Sequence, residues 1–146
     1  MNKAKEDCFH LGVKALILNT DRQILLLKRN HPVKGMYWDI PGGRLQKGES
    51  PMDTLFREVR EETGLNNVCA VHPFMMALTN IRIPALEGDV GLIFSIFLIN
   101  ISESFNPILS DEHVNSEWFS PLITAEKLKK QYPSEFIEKI IRLGSS

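Results

Sequence analysis

The stretch GRLQKGESPMDTLFREVREETGL, residues 43–65, contains an unusually complete set of helix signals. Ser50 is a preferred N-cap residue, Pro51 falls at the first helical position, and Asp53 follows the cap by three residues, as in a capping box. Gly64 suits the left-handed conformation in which many helices end. The stretch therefore predicts a helix between Ser50 and Gly64.

Apolar residues recur along this predicted helix with the period of an α-helix. They stand at positions i, i+3, i+4 and i+7 and are Met52, Leu55, Phe56 and Val59. A stripe with this spacing lies on one face of a helix and packs against a core. We therefore expect these four side chains to face the interior.

Three glutamates, Glu58, Glu61 and Glu62, share another part of the helix surface, because residues three and four apart are neighbours on a helix. Like charges on adjacent turns repel, and Arg57 and Arg60 offset only part of this repulsion. One interpretation is a solvated acidic face balanced by arginines. The other is a site for Mg²⁺ or Mn²⁺, which prefer carboxylate oxygens as ligands.

The residues before the helix favour the metal interpretation. Pro41, Gly42 and Gly43, together with Gly48, permit a loop to fold tightly beside the start of the helix. Glu49 adds a fourth carboxylate next to the other three.

The whole stretch resembles the signature of the Nudix hydrolases, G-x5-E-x7-R-E-U-x-E-E-x-G-U, in which U is a bulky aliphatic residue. Every specified position is matched, by Gly43, Glu49, Arg57, Glu58, Val59, Glu61, Glu62, Gly64 and Leu65. The lead-in WxxPGG, which begins at Trp38, is also similar to many members of this family.

This resemblance implies an α/β fold, the Nudix α/β/α sandwich with a mixed β-sheet. It implies hydrolysis of a diphosphate linkage in a nucleoside diphosphate joined to another group, with Mg²⁺ or Mn²⁺ as cofactor. Glu58 and Glu62 would be direct metal ligands, and Glu61 would be a ligand or the base that activates water. Gly43 would add a backbone carbonyl and Glu49 a further metal contact.

The resemblance assigns roles to several other residues. Arg57 would orient the glutamates. In MutT-like members a glutamate lies five residues before a Glu-Trp pair, a position that Glu112 holds here, so Glu112 is a candidate ligand or general base. Asp111 is its rival, and a solvated loop carboxylate is the alternative for both. Candidates for substrate binding are Trp38, by stacking on a base or equally by packing, Arg29 and Arg44.

The substrate is less well defined by the sequence. A small domain with the segments WxxPGG and EHVNSEW looks most like the MutT group, which favours a nucleoside triphosphate cleaved to a monophosphate and pyrophosphate. ADP-ribose or a nucleotide sugar is the alternative. A non-catalytic Nudix domain is disfavoured because every box glutamate is present. An isopentenyl diphosphate isomerase is disfavoured because it would need a catalytic cysteine and extra metal-binding histidines near the site, and Cys8 and Cys69 do not fit that arrangement.

Composition fits one domain over residues 1–146, with residues 1–7 as a polar tail. The chain is 43% hydrophobic and carries a net charge of −1, which predicts no general attraction to nucleic acid or to an anionic membrane. No apolar run reaches the ~20 residues of a membrane span, and a cytoplasmic enzyme is expected. Its partner would be a small nucleotide, with a homodimer as a further expectation.

The remaining pattern predicts strands and helices around this motif. Strands are expected at 11–18, 23–28, 37–40, 68–78, 91–101 and 117–119, and helices at 121–130 and 133–143. Pro73 predicts an edge strand or a bulge. Residues 29–36 and 79–88 are expected to be loops.

Overall fold

The computed structural model describes residues 5–66, 68, 70–103 and 105–144. The strand position expected for Cys69 and the first part of the predicted tail lie outside these residues. The elements are β1 (Phe9–Leu18), β2 (Ile24–His31), β3 (Gly35–Asp39), β4 (Gly42–Arg44), α1 (Pro51–Thr63), β5 (Ala70–Ala85), β6 (Gly88–Asn100), β7 (His113–Phe119), α2 (Pro121–Leu128) and α3 (Ser134–Arg142).

The strands form one mixed sheet in the order β3-β2-β1-β6-β5, with β4 paired to β1 and β7 paired to β2. The β1–β6 pair is parallel, and the other pairs are antiparallel. β1 and β2 pair only where their hairpin closes, at Leu18 and Ile24. Beyond that point β1 pairs with β4 and β2 pairs with β7. The strands β1 and β2 therefore separate on the side where the glycine-containing strand β4 lies.

Alternate residues of β1 face two separate cores, as the period of a strand requires. Leu16 and Leu18 pack in the core that holds α2 and α3. Val13 and Ile17 pack in the core that contains Leu55 of α1. Each fully buried Leu or Ile contributes roughly 1.5–3 kcal/mol. Helices therefore cover both faces of the sheet, which confirms the α/β/α sandwich.

Helix α1 begins and ends as the sequence predicts. The Asp53 N–H donates to Ser50 Oγ over 3.1 Å, and the Ser50 N–H donates to Asp53 Oδ2 over 3.0 Å. Gly64 ends the helix with φ at 79°. Phe56 differs from the expectation, since its side chain is 41% exposed. The buried face passes through Leu55, Val59 and Glu62 instead, which turns Phe56 outward.

Strand β5 is much longer than expected, so the predicted loop at 79–88 is wrong. The strand pairs with β6 as far as Ala85, and β5 is the edge of the sheet with an irregularity between Pro73 and Met75, as Pro73 predicts. β-branched residues at alternate positions, Thr79, Ile81 and Ile83, favour strand over loop. The predicted loop at 29–36 is also too long, because β2 and β3 include all but residues 32–34.

The last two helices lie close to their expected positions. Phe136 and Ile140 of α3 are fully buried, whereas Ile141, expected on the same inner face, is 41% exposed. No helix in the described part of the chain combines the length and the apolar character needed to cross a bilayer.

Candidate active site

Two glutamates of α1 lie against the glycine turn that precedes the helix. The Gly42 N–H donates to Glu62 Oε2 over 3.0 Å, and Glu62 is only 6% exposed. Gly43 lies against the Glu58 carboxyl group so closely that an added Cβ atom would overlap it. Pairing of β4 with β1 fixes this turn, with Gly42 opposite Lys14. The box residues therefore meet where β4 and α1 touch.

Burial leaves the charge of both glutamates poorly compensated. Burial raises the pKa of Glu62 to about 7, against the lowering effects of the Gly42 N–H and of Lys14. Burial also raises the pKa of Glu58, although Arg57 acts in the opposite direction. A carboxylate out of water gains from any cation that reaches it. The surroundings of Glu58 and Glu62 therefore favour a bound cation.

Arg57 binds three carboxylates at once. Its Nε and Nη2 donate to the two oxygens of Glu49 over 2.6 and 3.0 Å. Its Nη1 donates to Glu58 Oε1 over 2.7 Å and to Glu61 Oε2 over 3.4 Å. A planar guanidinium suits this arrangement because its donors form a rigid fork. These contacts are compatible with the orienting role predicted for Arg57, which stays a prediction.

The contacts of Glu49 are already satisfied within the protein. Besides Arg57, the Thr54 hydroxyl and the Gln46 N–H donate to its Oε1. The pKa of Glu49 is lowered to about 2, mainly by the hydrogen bonds from Arg57 and to a smaller extent by those from Gln46 and Thr54. Glu49 therefore holds Arg57 in place, and a metal contact for it stays a prediction.

The donor set fits a divalent ion by chemistry and by charge. Glu62 is 6% exposed, the Glu58 side chain is 16% exposed, and Glu61 is 55% exposed with one long bond. Within the described residues, no three acidic, histidine or cysteine groups are already gathered as a metal site. Arg57 Nη1 contacts one oxygen of each neighbouring carboxylate, Glu58 Oε1 and Glu61 Oε2, so an ion can be bound through the other oxygen of each group.

A cleft with a volume of about 540 Å³ opens beside these glutamates. Its wall includes the predicted residues Arg29, Gly43, Arg44, Glu58 and Glu112. Glu112 lies 3.9 Å from Arg29, and its charge contributes to the raised pKa values of Glu58 and Glu62. Asp111, its rival, lines only the neighbouring hollow, which Arg29 and Glu112 also line. The structure thus brings Glu112 and both arginines to the glutamates.

Trp38 lies away from this cleft. Its ring packs edge-on against Phe119 with the centroids 5.1 Å apart. Lys28 and Lys127 each place an ammonium group over it, at 5.6 and 5.7 Å from the centroid. The stacking role of Trp38 stays a prediction, while the neighbouring Tyr37 does line the cleft.

Sequence reasoning missed Lys14, Asp39 and Tyr132. Lys14 lines the cleft, and the other two line an adjoining pocket of about 560 Å³. The only sequence signal was a lysine inside the apolar strand LGVKALIL. The pairing of Lys14 with Asp39, 25 residues away, has no local signature.

Known proteins resemble parts of this chain in sequence. A protein of Bacillus subtilis (strain 168), whose name ascribes 8-oxo-dGTP diphosphatase activity to it, is 46% identical over 56 residues, or 38% of this chain and 35% of that protein. An RNA pyrophosphohydrolase of Psychrobacter cryohalolentis is 38% identical over 60 residues, 41% of this chain and 33% of that protein. Each match thus spans about a third of the relative's length.

Solved structures match over almost the whole chain. The MutT protein of Methanosarcina mazei Go1 is 27% identical, with a TM-score of 0.64 and 96% of each chain covered. The dihydroneopterin triphosphate pyrophosphohydrolase of E. coli has a TM-score of 0.70 at 16% identity over 91% of this chain and 94% of its own, which shows a shared fold. The NUDIX domain family model matches residues 9–140. The chain belongs to the NUDIX family.

Proposed function

We propose that this protein is a metal-dependent hydrolase that cleaves a diphosphate linkage in a nucleoside diphosphate joined to another group. The first candidate substrate is a nucleoside triphosphate, cleaved to a monophosphate and pyrophosphate. The observation that carries this proposal is the pair of desolvated carboxylates, Glu58 and Glu62, beside the glycine turn and next to a cleft with basic side chains. The 8-oxo-dGTP named for one relative is itself a nucleoside triphosphate.

Glu58, Glu62 and Glu61 would hold the ion, Mg²⁺ or Mn²⁺, together with the carbonyl oxygen of Gly43. When bound, such an ion neutralises phosphate charge, which otherwise repels a nucleophile, and makes a water easier to deprotonate. Arg57 would restrict the side chains of Glu58 and Glu61 before the ion arrives, through hydrogen bonds to one oxygen of each.

The remaining steps fall to side chains that line the cleft. Arg29 and Arg44 can each donate hydrogen bonds to phosphate oxygens, as guanidinium groups do with good geometry. Glu112 can accept the proton of the attacking water as the new phosphorus–oxygen bond forms. The anhydride bond to the leaving phosphate then breaks. Glu61, more exposed than its neighbours, is the second candidate for the base.

ADP-ribose or a nucleotide sugar is the second candidate substrate. The observation that favours it is the pocket of about 560 Å³ that adjoins the cleft and shares Tyr37 and Phe94 with it. Two adjoining spaces can hold the two halves of such a molecule. A cytoplasmic location and a homodimer stay predictions.

The test is hydrolysis of a nucleotide panel with Mg²⁺ or Mn²⁺, followed by phosphate release with and without added inorganic pyrophosphatase. The panel contains triphosphates, oxidised triphosphates, ADP-ribose, nucleotide sugars, dinucleoside polyphosphates and coenzyme A. We expect turnover of a triphosphate that requires pyrophosphatase for phosphate release and stops with chelator. Glu138→Gln, an exposed α3 variant, is the matched control for Glu58→Gln. Turnover that persists in chelator or in Glu58→Gln would contradict the proposal.

A further inference from the structure

Lys14 places a charged group in an otherwise apolar strand. Its side chain is only 12% exposed, and its Nζ lies 3.1 Å from Asp39 Oδ2. An ion pair in such surroundings is weak evidence of a stabilising role, because removal of both charges from water offsets most of their attraction. An apolar residue would suit the strand better, so the lysine calls for another explanation.

The position of the ammonium group supplies that explanation. The stem of Lys14 runs so close to Gly42 that a Cβ atom there would overlap it, and Gly42 is the residue whose N–H binds Glu62. Lys14 lines the same cleft as Glu58 and Arg44. The ammonium group therefore lies beside the glutamates and at the wall of the space into which a phosphate would enter.

One proton of this ammonium group lacks a good acceptor. Nζ donates to Asp39 Oδ2, and its distance to the Ile40 carbonyl oxygen, 3.5 Å, is at the limit of a hydrogen bond. The Phe94 ring lies 5.2 Å away on another side. An ammonium group has three donors, and no third acceptor contacts it among the residues that the structure describes. A phosphate oxygen in the cleft would complete its coordination.

Asp39 fixes the direction of this lysine. Its Oδ1 accepts hydrogen bonds from the Tyr132 hydroxyl over 2.6 Å and from the Ile40 N–H over 2.8 Å, which leaves Oδ2 for Lys14. Tyr132 is buried and packs near Phe136 of α3, so it is not free to move. Two donors other than the lysine thus hold the Asp39 carboxylate, which in turn fixes the position of the Lys14 ammonium group.

We propose that the Lys14 ammonium group, held in place by Asp39, binds a phosphate oxygen of the substrate in the cleft. This inference rests on the proposed function, since it assigns a residue to the phosphates of that substrate. Lys14 is then a substrate-binding residue, and Asp39 is a positioning residue that acts through it.

The test compares the wild-type protein with Lys14→Met/Asp39→Asn, which removes both charges of the pair and keeps the net charge unchanged. The matched control is Lys129→Met/Glu126→Gln, which removes both charges of an exposed ion pair that lies outside the cleft. Its Nζ–Oε2 distance is 2.9 Å. The probe is inorganic triphosphate, titrated calorimetrically into metal-free protein at low salt. Thermal unfolding verifies that each variant is folded.

We expect the Lys14→Met/Asp39→Asn variant to bind triphosphate at least about tenfold more weakly, since a charge-assisted hydrogen bond is lost. The control should match the wild type. Removing the negative charge of Asp39 would by itself favour an anion, so weaker binding by the double variant reports the loss of the Lys14 ammonium group. With Mg²⁺ and the preferred nucleotide, KM should rise more than kcat falls. Equal affinity of the variant and the wild type would overturn the inference.

A second measurement needs no variant and covers the case in which the double variant does not fold. Acylation of the wild-type lysines, located by mass spectrometry, should slow at Lys14 and not at Lys129 when triphosphate is added. Unchanged modification of Lys14 would overturn the inference. Failure of the proposed function itself would be seen separately, as absence of nucleotide hydrolysis by the wild type.

Discussion

Gly43 and the Glu58 carboxylate occupy adjoining space, such that a Cβ atom at residue 43 would overlap the carboxyl group. β4 and α1 approach this closely only because residue 43 has no side chain. The overlapping group is the far end of a flexible side chain, so a larger residue would displace the carboxylate and leave the backbone in place. Gly43 therefore leaves the space in which the Glu58 carboxylate lies.

Gly43→Ala should separate activity from stability. The displaced Glu58 carboxylate leaves its place beside the turn, and we expect kcat/KM to fall about 100-fold, as when an essential supporting contact is lost. The free energy of unfolding should change by only about 1 kcal/mol, the cost of a strained rotamer. Steady-state kinetics and urea unfolding measure the two quantities.

Gly48→Ala is the matched control with the opposite expected pattern. Gly48 has φ at +86° and nothing within 4 Å of an added Cβ atom. An alanine there costs roughly 1 kcal/mol of backbone strain but touches no part of the site. Normal activity in Gly43→Ala, or equal loss in both variants, would show that Glu58 need not lie against residue 43.

Glu62→Gln should abolish activity and stabilise the metal-free protein. The pKa of Glu62 is raised to about 7 by burial, so the native state binds more protons than the unfolded state between about pH 4.5 and 7. Stability therefore falls as pH rises through this window, by roughly 2–4 kcal/mol. Glutamine keeps an acceptor for the Gly42 N–H without the charge, and turnover should fall at least about 1000-fold.

Melting temperatures in chelator test the stability part of this prediction. Glu62→Gln should melt above the wild type at pH 8 and close to it at pH 4.5. Glu61→Gln, a change at a carboxylate that is 55% exposed, should melt like the wild type at both pH values. If the melting temperature of Glu62→Gln differed from that of the wild type by the same amount at both pH values, the buried charge would not be what destabilises the protein.

The sequence predicted the parts of the site that have local signals. Ser50, Asp53 and Gly64 mark the ends of α1 within a few residues of chain, and their hydrogen bonds form as expected. The buried face of the helix was less predictable. Hydrophobicity alone places Phe56 in the core and Glu62 at the surface, but Phe56 is exposed and Glu62 is buried. A hydrogen bond from Gly42, 20 residues earlier, holds Glu62 on the buried side.

The rest of the site depends on contacts between distant parts of the chain. Tyr132 reaches Asp39 across 93 residues, and Asp39 reaches Lys14 across 25. No spacing rule joins such positions, because strand order decides which of them meet. The predicted strand at 68–78 was too short for a related reason. Pro84 and Gly88 are local signals of a loop, whereas pairing with β6 keeps the chain extended as far as Ala85.

Glu112→Gln should lower kcat at least tenfold, whereas Asp111→Asn should change it less than twofold. Glu112 lines the cleft and adds to the negative potential at Glu58 and Glu62, while Asp111 lines only the neighbouring hollow. Loss of a general base costs about 100-fold or more. A fall in kcat confined to Asp111→Asn would exchange the roles of the two residues, and equal wild-type rates would return both to solvated loop positions.

Arg57→Lys should weaken both metal binding and turnover, although it keeps the charge. A lysine cannot donate at once to Glu49, Glu58 and Glu61, because its ammonium group is a compact point charge and lacks the guanidinium fork. We expect a loss of about 10–100-fold in Mg²⁺ affinity and in kcat/KM, measured by calorimetry and by steady-state kinetics. The melting temperature should also fall, since the link from Glu49 to the helix is broken. Arg60→Lys, an exposed change on the same helix, is the control; if both variants lose equally, the orienting role of Arg57 is wrong.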